Sequence, residues 1–469
     1  MTDYDIIVIG GGISGLLSAL TLSKHGKNVL VLEKNSTVGG NCNSYNVDGF
    51  QVDTGPHAIT HLREGPLRRL MDEYFTYIPV FLDYGTYYVR TEKGLTKIPS
   101  NIQDFVTFDV LPRKDRLLLS QSLTKALTLN AFGMLDGNQS VYDFLPKGLS
   151  KDTLNFVDAI APFLSGKSMK ETSVNRVLFG SSFVRDSVSE DIFKDETAAN
   201  GNSYASAVTG MLSKYQLTAR LSTLGRLATN RVAYAQAYPR GGLKSFLNSV
   251  LYSMPANVSI KTGERVSEIL TIDGKATGVE TGTDSYKADA VVYSGFVKSL
   301  PSLVPLPSDF KEKIARIEHT LSLTIWLGLS EKMNEFDYMG SEVWFRTGAY
   351  WAMPISNYDP CIAPKGKQLV GFTFVIDEKK NIESEKKRAL EIIFKAVPGI
   401  ENKIEMTHYQ VTIPEKAAVT INGFIAGPRS PVANLYLVGT DTDNRSMGIT
   451  RAGYSVLELL KVINEDKKF

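Results

Sequence analysis

The chain has 469 residues, of which 43% are hydrophobic and 22% charged, so it can bury a large core and is long enough for two domains. Its 52 basic residues nearly balance 50 acids, which argues against a nucleic-acid partner. Two cysteines, Cys42 and Cys361, are too few for a disulfide framework or a zinc site and fit a reducing compartment. We expect both to be buried, and we expect no metal site.

A strand, a glycine-rich turn, a helix and a second strand open the chain. The β-branched run Ile6 to Ile9 leads into Gly10, Gly12 and Gly15. These glycines allow a tight turn, the approach of a pyrophosphate to the helix N-terminus, and close packing of helix on strand. Glu33 ends the second strand 18 residues after Gly15, where a carboxylate can bind an adenosine ribose. The unit predicts a dinucleotide site rather than a merely structural turn.

Targeting segments are not indicated. The run Ile6 to Leu22 has the length of a signal-peptide core, but its acidic start and internal glycines argue against that function. No uninterrupted apolar run reaches ~18 residues, so no membrane-spanning helix is expected. The sequence therefore predicts a cytoplasmic protein, with peripheral attachment to a membrane as an open alternative.

Two segments after the dinucleotide unit indicate a family. They are Gly39-Gly40-Asn41 and the stretch from Gly49 to Ala58, GFQVDTGPHA. Together with the opening unit they resemble the phytoene desaturase-like (carotenoid desaturase/isomerase) branch of the FAD-dependent amine oxidase and protoporphyrinogen oxidase superfamily. The resemblance implies FAD, with the Gly-Gly pair along the pyrophosphate and the Gly-Pro segment near the flavin ring. The family usually has arginine where this chain has Asn41. Val266 matches a valine whose backbone faces adenine, although a plain core valine fits equally well.

The end of the chain resembles the family's closing motif. Gly439-Thr440-Asp441 follows an apolar strand, and Met447-Gly448-Ile449 opens the last helix. The resemblance implies that the strand ends at the ribityl chain and that the helix N-terminus faces flavin N1, where it would stabilise the charge of reduced flavin. Whether Thr440 or Asp441 reaches the ribityl hydroxyls is left open.

The resemblance implies a bipartite α/β fold. A Rossmann-like FAD-binding domain comprises residues 1–61, 236–309 and 426–469, and an inserted substrate domain comprises residues 62–235, with a helical cap, and 310–425, with a mixed sheet. The implied cofactor contacts are Gly10, Gly12, Ile13, Ser14, Gly15, Glu33, Lys34, Gly39, Gly40, Asn41, Gly55, Pro56, His57, Ala58, Val266, Gly439, Thr440, Asp441, Met447, Gly448 and Ile449.

The cap and the second sheet leave several alternatives open. The stripe Leu217 to Leu227, flanked by basic residues, fits a membrane-surface helix or, as we favour, a core-facing one. The segment Thr197 to Thr209 fits a mobile gate or an ordinary loop. Aromatic residues between Trp326 and Phe374 either line an apolar tunnel or fill the core, and we expect a mixture.

The predicted function is FAD-dependent oxidoreduction at carbon–carbon bonds of an apolar isoprenoid or polyene, by desaturation, saturation or isomerisation. The electron acceptor (quinone, oxygen or nicotinamide) is left open. His57, beside the expected flavin contact, and Glu415, shortly before the closing motif, are the candidates for catalytic proton handling, although a lone histidine is usually structural.

Three alternatives use the same fold. One is a flavin amine oxidase or protoporphyrinogen oxidase-like enzyme. Another is a UDP-sugar mutase-like flavoenzyme, in which Arg220, Arg226 or Arg346 would bind a diphosphate. The third is a non-enzymatic prenyl-binding chaperone similar to the Rab dissociation inhibitors, against which the intact Gly15 and Glu33 argue.

Overall fold

The structure is a computed structural model that describes residues 3–55, 58–60, 62, 65–99, 102–131, 134, 136–174, 176 and 236–466. The predicted gate at residues 197–209 and the leucine stripe at residues 217–227 lie outside this part of the chain, as do Pro56, His57, Arg220 and Arg226.

Strands and helices are numbered here in chain order. The strands are β1 (Asp3–Ile9), β2 (Val29–Glu33), β3 (Ser44–Val47), β4 (Phe50–Asp53), β5 (Phe81–Asp83), β6 (Thr86–Thr91), β7 (Gly94–Lys97), β8 (Ala237–Pro239), β9 (Val258–Thr262), β10 (Val266–Ile272), β11 (Lys275–Thr281), β12 (Ser285–Tyr293), β13 (Ser322–Leu329), β14 (Gly340–Trp344), β15 (Tyr350–Met353), β16 (Gln368–Val375), β17 (Ile404–Thr412) and β18 (Leu435–Leu437). The helices are α1 (Ile13–Lys24), α2 (Pro66–Tyr74), α3 (Ile102–Thr107), α4 (Arg113–Ala131), α5 (Val141–Phe144), α6 (Lys151–Ser165), α7 (Leu243–Tyr252), α8 (Ser308–Ala315), α9 (Ile382–Ala396) and α10 (Gly448–Glu465).

The first sheet is built on parallel strands. β18, β12, β1, β2 and β9 lie side by side in that order and run parallel, while the hairpin β10–β11 adds antiparallel strands at the start of β12. Helices α1, α7 and α10 pack on one face through residues such as Leu20, Phe246 and Leu459. The central strands are apolar because both faces of the sheet are covered. Their carboxyl ends meet at one edge, which is where ligands bind in such sheets.

The second sheet is mostly antiparallel. Its order is β17-β13-β16-β15-β14-β6-β7, and β14 and β6 form its parallel pair. Helix α9 packs on one face, where Phe372, Phe374 and Ile393 belong to one buried cluster. Since successive side chains of a strand point to opposite faces, the residues between these aromatics face away from α9.

Sequence patterns predicted most of these elements. The apolar run from Leu321 to Leu329 predicts a strand, and the charged stretch from Ile382 to Val397 predicts a helix. β13 and α9 agree with these bounds to within one residue at either end. The prediction for Cys361 was wrong, because its side chain is exposed, whereas Cys42 is buried. Within the described ranges, no helix combines the length and hydropathy needed to cross a bilayer.

Candidate cofactor and substrate site

In the glycine-rich turn after β1, Gly15 is closely packed, whereas Gly12 borders open space. A Cβ atom at Gly15 would lie 2.0 Å from the Gly10 carbonyl oxygen, so only glycine allows α1 to approach the strand so closely. Gly10 has a φ of +104°, a conformation that side chains rarely adopt. By contrast, a Cβ at Gly12 would meet no atom within 4 Å. The space above Gly12 adjoins Ile13 and Ser14, the first residues of α1.

Glu33 is held at the end of β2 by backbone donors. Its Oε2 accepts a hydrogen bond from Gly11 N at 2.7 Å, and its Oε1 accepts one from Asn35 N at 2.9 Å. Each oxygen keeps a lone pair for a ribose hydroxyl. A Cβ at Gly11 would lie 2.9 Å from Val38 and 3.3 Å from Glu33 Oε2. The sequence pattern singled out Gly10, Gly12 and Gly15 but not Gly11. The absence of a side chain at Gly11 lets the turn reach the Glu33 carboxylate.

The Gly39-Gly40 pair lies against the glycine-rich turn. Gly39 N donates to Gly11 O at 2.7 Å, and a Cβ at Gly40 would be 3.4 Å from Gly12 Cα. The Asn41 side chain donates instead to the Ile413 carbonyl at 2.8 Å. Asn41 therefore links this loop to the segment that follows β17. Lys34 is exposed just after β2.

Gln410 on β17 fixes the segment that ends at Gly55. Its Oε1 accepts hydrogen bonds from Gly55 N at 3.0 Å and from Trp326 Nε1 at 3.0 Å, and its Nε2 donates to Asp53 O at 2.8 Å. Sequence reasoning missed Gln410, because an amide in a strand carries no signal of its partners. Ala58 lies just beyond this segment and lines the same cavity as Gly55.

Asp53 ties the first part of the chain to the part that returns at β8. Its carboxylate accepts hydrogen bonds from Ser44 Oγ at 2.6 Å, Tyr238 OH at 2.5 Å and Leu243 N at 3.2 Å. The side chain is fully buried, and burial outweighs these donors and raises the pKa of Asp53 to about 6.

The closing motif presents an unpaired buried carboxylate oxygen. Asp441 Oδ2 accepts a hydrogen bond from Val297 N at 2.7 Å, but Oδ1 has no hydrogen-bond partner among the described residues. Thr440 Oγ1 already accepts a hydrogen bond from Lys416 N at 3.1 Å. A Cβ at Gly439 would lie 2.8 Å from Asp441 Oδ1. Of the two candidates, Asp441 has an oxygen without any partner among the described residues, whereas the Thr440 hydroxyl keeps its proton and one acceptor position.

Lys416 places an amine at the same sheet edge. Its Nζ donates to the carbonyl oxygens of Ser294 at 2.6 Å and Gly295 at 2.9 Å, directly after β12. Burial lowers the pKa of this amine, and the charge of Asp441 opposes that shift. Within the described chain it forms no ion pair of 4.0 Å or less, and an ammonium has three N–H donors. The sequence pattern gave no indication of this lysine.

Glu415 lies at the N-terminus of α10. Its Oε1 accepts a hydrogen bond from Gly448 N at 2.5 Å, and its Oε2 lies 3.0 Å from Arg451 Nη1. Arg451 also donates to the Thr440 carbonyl at 3.0 Å. Arg176 is buried nearby, and burial together with the charge of Arg451 lowers its pKa to about 9. Glu415 is thus part of a buried charge cluster rather than a free carboxyl group.

A cavity of about 1300 Å³ separates these segments from the second sheet. Thr54, Gly55, Ala58 and the start of α10, including Met447 and Ile449, line one side. The sheet contributes Tyr87, Ser322, Thr324, Val343, Tyr350, Trp351, Thr373, Val375 and Thr412. The rim also carries charged residues, among them Lys167, Arg316, Glu318 and Lys380.

The strand aromatics are divided between the cavity and the core, as expected, but most of them lie in the core. Tyr350 and Trp351 line the cavity, whereas the remaining aromatics are buried in the core: Trp326, Trp344, Phe345, Phe372 and Phe374. Most of these aromatics therefore fill the core, because their side chains point towards α9 or into packed clusters. Arg346 is paired with Glu92 at 3.6 Å and does not line the cavity.

These features fit an extended flavin dinucleotide. Open space above Gly12 suits a pyrophosphate, Glu33 offers oxygens for a ribose, and the unpaired Asp441 oxygen suits a ribityl hydroxyl. Glu33 ends β2 and Asp441 follows β18. These two strands are three strand spacings apart, or about 14 Å at about 4.8 Å per spacing. Val266, at the start of β10, is buried two residues after Glu264, whose N donates to Glu33 O at 2.9 Å.

Comparisons with known proteins point to a flavin-binding family and to the same fold. Residues 13–450 match the model of the family described as flavin containing amine oxidoreductase. The 1-hydroxycarotenoid 3,4-desaturase of Flavobacterium sp. is 26% identical over 92% of this chain and 93% of its own. The all-trans-retinol 13,14-reductase of Rattus norvegicus is 46% identical over 72 residues, which cover 12% of that protein. An oxidoreductase from Methanosarcina mazei has the same fold, with a TM-score of 0.75, 21% identity, and coverage of 98% of this chain and 100% of its own.

Proposed function

The chain belongs to the flavin containing amine oxidoreductase family and is an FAD-dependent oxidoreductase, and we propose that it acts on carbon–carbon bonds of a polyene or isoprenoid. The cavity of about 1300 Å³ carries the proposal, because ligand pockets usually measure about 300–1,000 Å³. A long substrate therefore has room beside a flavin ring. The match to a hydroxycarotenoid desaturase along 92% of the chain supports this substrate class.

In this proposal the residues at the carboxyl edge of the first sheet would hold FAD. Glu33 and the segment of Val266 would hold the adenosine end, and Gly12 with the Gly39-Gly40 pair would hold the pyrophosphate. Asp441 would bind the ribityl chain, and Gly55 and the start of α10 would border the flavin ring. The two sheets draw their strands from residues 3–33, 258–293 and 435–437, and from residues 86–97 and 322–412. This segregation supports the proposed division into an FAD domain and an inserted substrate domain.

Bound flavin supplies the redox chemistry by exchanging hydride equivalents with the substrate. The residues around the flavin site stabilise charge and position the bound groups. The N-terminus of α10 directs backbone N–H groups and the positive end of the helix dipole into the cavity, and Arg451 adds a buried positive charge beside it. Glu415 receives the Gly448 N–H and lies beside Arg451, so we assign it to charge balance rather than to proton transfer. The role of His57 in proton handling stays a prediction, because this residue lies outside the described residues.

The other enzyme classes make different demands on the site. A UDP-sugar mutase needs cations gathered on a diphosphate, but Arg346 is directed to Glu92. An amine substrate is recognised by aromatic faces. Because Tyr350 and Trp351 line the cavity, an amine oxidase is the second candidate. Membership of an oxidoreductase family disfavours the prenyl-binding chaperone.

An anaerobic titration separates these classes. The flavin of the purified protein, oxidised or reduced with dithionite, is titrated with polyenes and isoprenoids, with primary amines and with UDP-sugars, and its visible spectrum is recorded. We expect spectral shifts or redox changes with the first class and none with the other two. Bleaching by an amine, or UDP-sugar binding to the reduced protein, would contradict the proposed substrate class and leave the FAD site intact.

A further inference from the structure

The cavity-facing surface of the second sheet carries two pairs of hydroxyl groups on neighbouring strands. Thr324 Oγ1 on β13 lies 3.2 Å from Thr373 Oγ1 on β16. Ser322 Oγ, two residues earlier on β13, lies 3.1 Å from Thr412 Oγ1 on β17. All four residues line the cavity, and we call them the hydroxyl wall.

The alternation of the strands places these groups on the cavity side. Leu323 and Ile325 on β13, and Phe372 and Phe374 on β16, point the opposite way into the core against α9. Val375, next to Thr373 on the cavity face of β16, also lines the cavity, so the same strand accommodates an aliphatic side chain there. A cavity wall for a pure hydrocarbon would gain more from aliphatic residues at all of these positions.

The hydroxyl wall has hydrogen-bonding capacity left over. Each hydroxyl offers one donor and two acceptor positions. When Thr324 and Thr373 bond to each other, one of their two protons is used, and no other side-chain hydrogen bond of Thr373 occurs among the described residues. Thr324 is fully buried, whereas Thr373 and Thr412 are half-buried. Thr373 and Thr412 are therefore the members of the hydroxyl wall that are accessible from the cavity.

The position of the wall assigns it to the substrate rather than to the cofactor. Gly55, Ala58 and the start of α10 lie on the other side of the same cavity. These are the segments next to which the flavin ring is placed, so a substrate lies between them and the sheet. A polar group of that substrate meets the hydroxyls, while its apolar part lies against Val343, Trp351 and Val375.

We infer that Thr373 and Thr412 select a polyene or isoprenoid that carries an oxygen function, a hydroxyl or carbonyl group, over the corresponding hydrocarbon. This inference rests on the proposed function and names its substrate class more closely. A hydroxyl of the substrate completes the unused donor and acceptor positions of the wall, whereas a hydrocarbon buries them unpaired. One net hydrogen bond corresponds to about 2- to 12-fold in affinity.

The test compares alcohols with hydrocarbons of similar skeleton on the FAD-loaded protein. Farnesol and β-farnesene form one pair, and geranylgeraniol and β-springene form a longer one, each titrated while the visible spectrum of the bound flavin is recorded. Thr373→Val, Thr412→Val and the double variant remove hydroxyls and keep β-branched side chains. Thr407→Val, at an exposed position on the opposite face of β17, is the matched control. Far-UV circular dichroism and flavin content check the fold of each variant.

We expect the alcohols to bind about 2- to 12-fold more tightly than the hydrocarbons. The wall variants should lose this preference by binding alcohols less tightly, with unchanged hydrocarbon affinity, and Thr407→Val should keep it. Equal binding of alcohol and hydrocarbon by the native protein, or a preference that survives in the double variant, would overturn the inference and leave the proposed function standing. If neither member of either pair binds, both the proposed function and this inference are wrong.

Discussion

At the scale of single residues, opposite charges meet along one edge of the first sheet. Glu33 and Asp441 present carboxylates, and Lys416 presents an amine without an ion-pair partner among the described residues. Glu33 has two backbone donors and Lys416 has two carbonyl acceptors, whereas Asp441 Oδ1 has no partner among the described residues. Each group keeps hydrogen-bonding capacity that a bound dinucleotide would use.

Replacing Lys416 by methionine should weaken binding of both ADP and FAD. We propose that the N–H donor of the ammonium that neither Ser294 O nor Gly295 O accepts binds a pyrophosphate oxygen, and a hydrogen bond to a charged group contributes about 1.5 to 3 kcal/mol. Isothermal titration of the apoprotein with ADP and with FAD measures the loss, and Lys416→Arg should retain most of the affinity. Asp441→Asn is the matched comparison, because it should weaken FAD and leave ADP unchanged. A Lys416→Met variant that loses affinity for FAD alone would place this amine at the ribityl chain instead.

Replacing Glu33 by alanine should reduce FAD affinity by about 1.5 to 3 kcal/mol, the range for hydrogen bonds to a charged group. The variant leaves the buried Gly11 N–H without its acceptor, which costs about 1 to 3 kcal/mol, so we expect it to be less stable but still folded. Equilibrium dialysis against FAD, with circular dichroism as the check on folding, measures the effect. Unchanged affinity would show that Glu33 does not contact the ribose.

At the scale of secondary-structure elements, a buried ion pair joins β6 to β14 and β15. Arg90 contacts both oxygens of Glu342, at 2.6 and 2.5 Å, and the hydroxyls of Tyr338 and Tyr350 donate to the same carboxylate at 3.0 and 2.9 Å. Glu342 is fully buried. The network fixes the parallel register of β6 and β14, on which the far side of the cavity depends.

Removing the charge of Glu342 should therefore be strongly destabilising. Glu342→Gln leaves Arg90 as an uncompensated buried cation, which costs about 3 to 5 kcal/mol. Urea unfolding of the variant measures this loss, and the double variant Glu342→Gln, Arg90→Met should recover part of it. A single variant within about 0.5 kcal/mol of the native protein would mean that water reaches this pair.

Asp53, which connects β4 to β8 and α7, should make stability depend on pH. Its folded pKa of about 6 lies above the ordinary value of about 3.9, so the folded state binds the proton more tightly. Its contribution to stability is greatest below about pH 4 and declines as pH rises to about 6, by roughly 3 kcal/mol in total. The unfolding free energy of the native protein minus that of Asp53→Asn should fall over this range and level off above it. A flat difference would contradict the raised pKa.

At the scale of the whole molecule, the proposed cofactor path joins distant parts of the chain. Gly12, Gly40, Gly55 and Asp441 come from four segments that are far apart in the chain, and a single FAD molecule would contact all of them. FAD should stabilise the folded state by roughly 2.7 kcal/mol at 100 times its dissociation constant. Thermal unfolding with and without FAD measures the shift, and Glu33→Ala at the same FAD concentration should give a smaller one. An apoprotein whose unfolding is insensitive to FAD would contradict this path.

The sequence by itself determined the elements and the cofactor class. The turn at Gly10, Gly12 and Gly15, the acid at Glu33 and the alternation of the strands are local patterns, so they could be read without knowing which segments meet. Only the tertiary structure showed that Asp441 Oδ1 has no partner among the described residues, that Glu415 lies beside Arg451, and that most strand aromatics are core residues. These outcomes depend on contacts between residues far apart in the chain. The face of the second sheet that lines the cavity is determined by the packing of α9 on the opposite face. The hydroxyl wall could not be predicted from the sequence for the same reason. Threonine is common in strands, so its presence does not indicate which hydroxyl groups lie side by side.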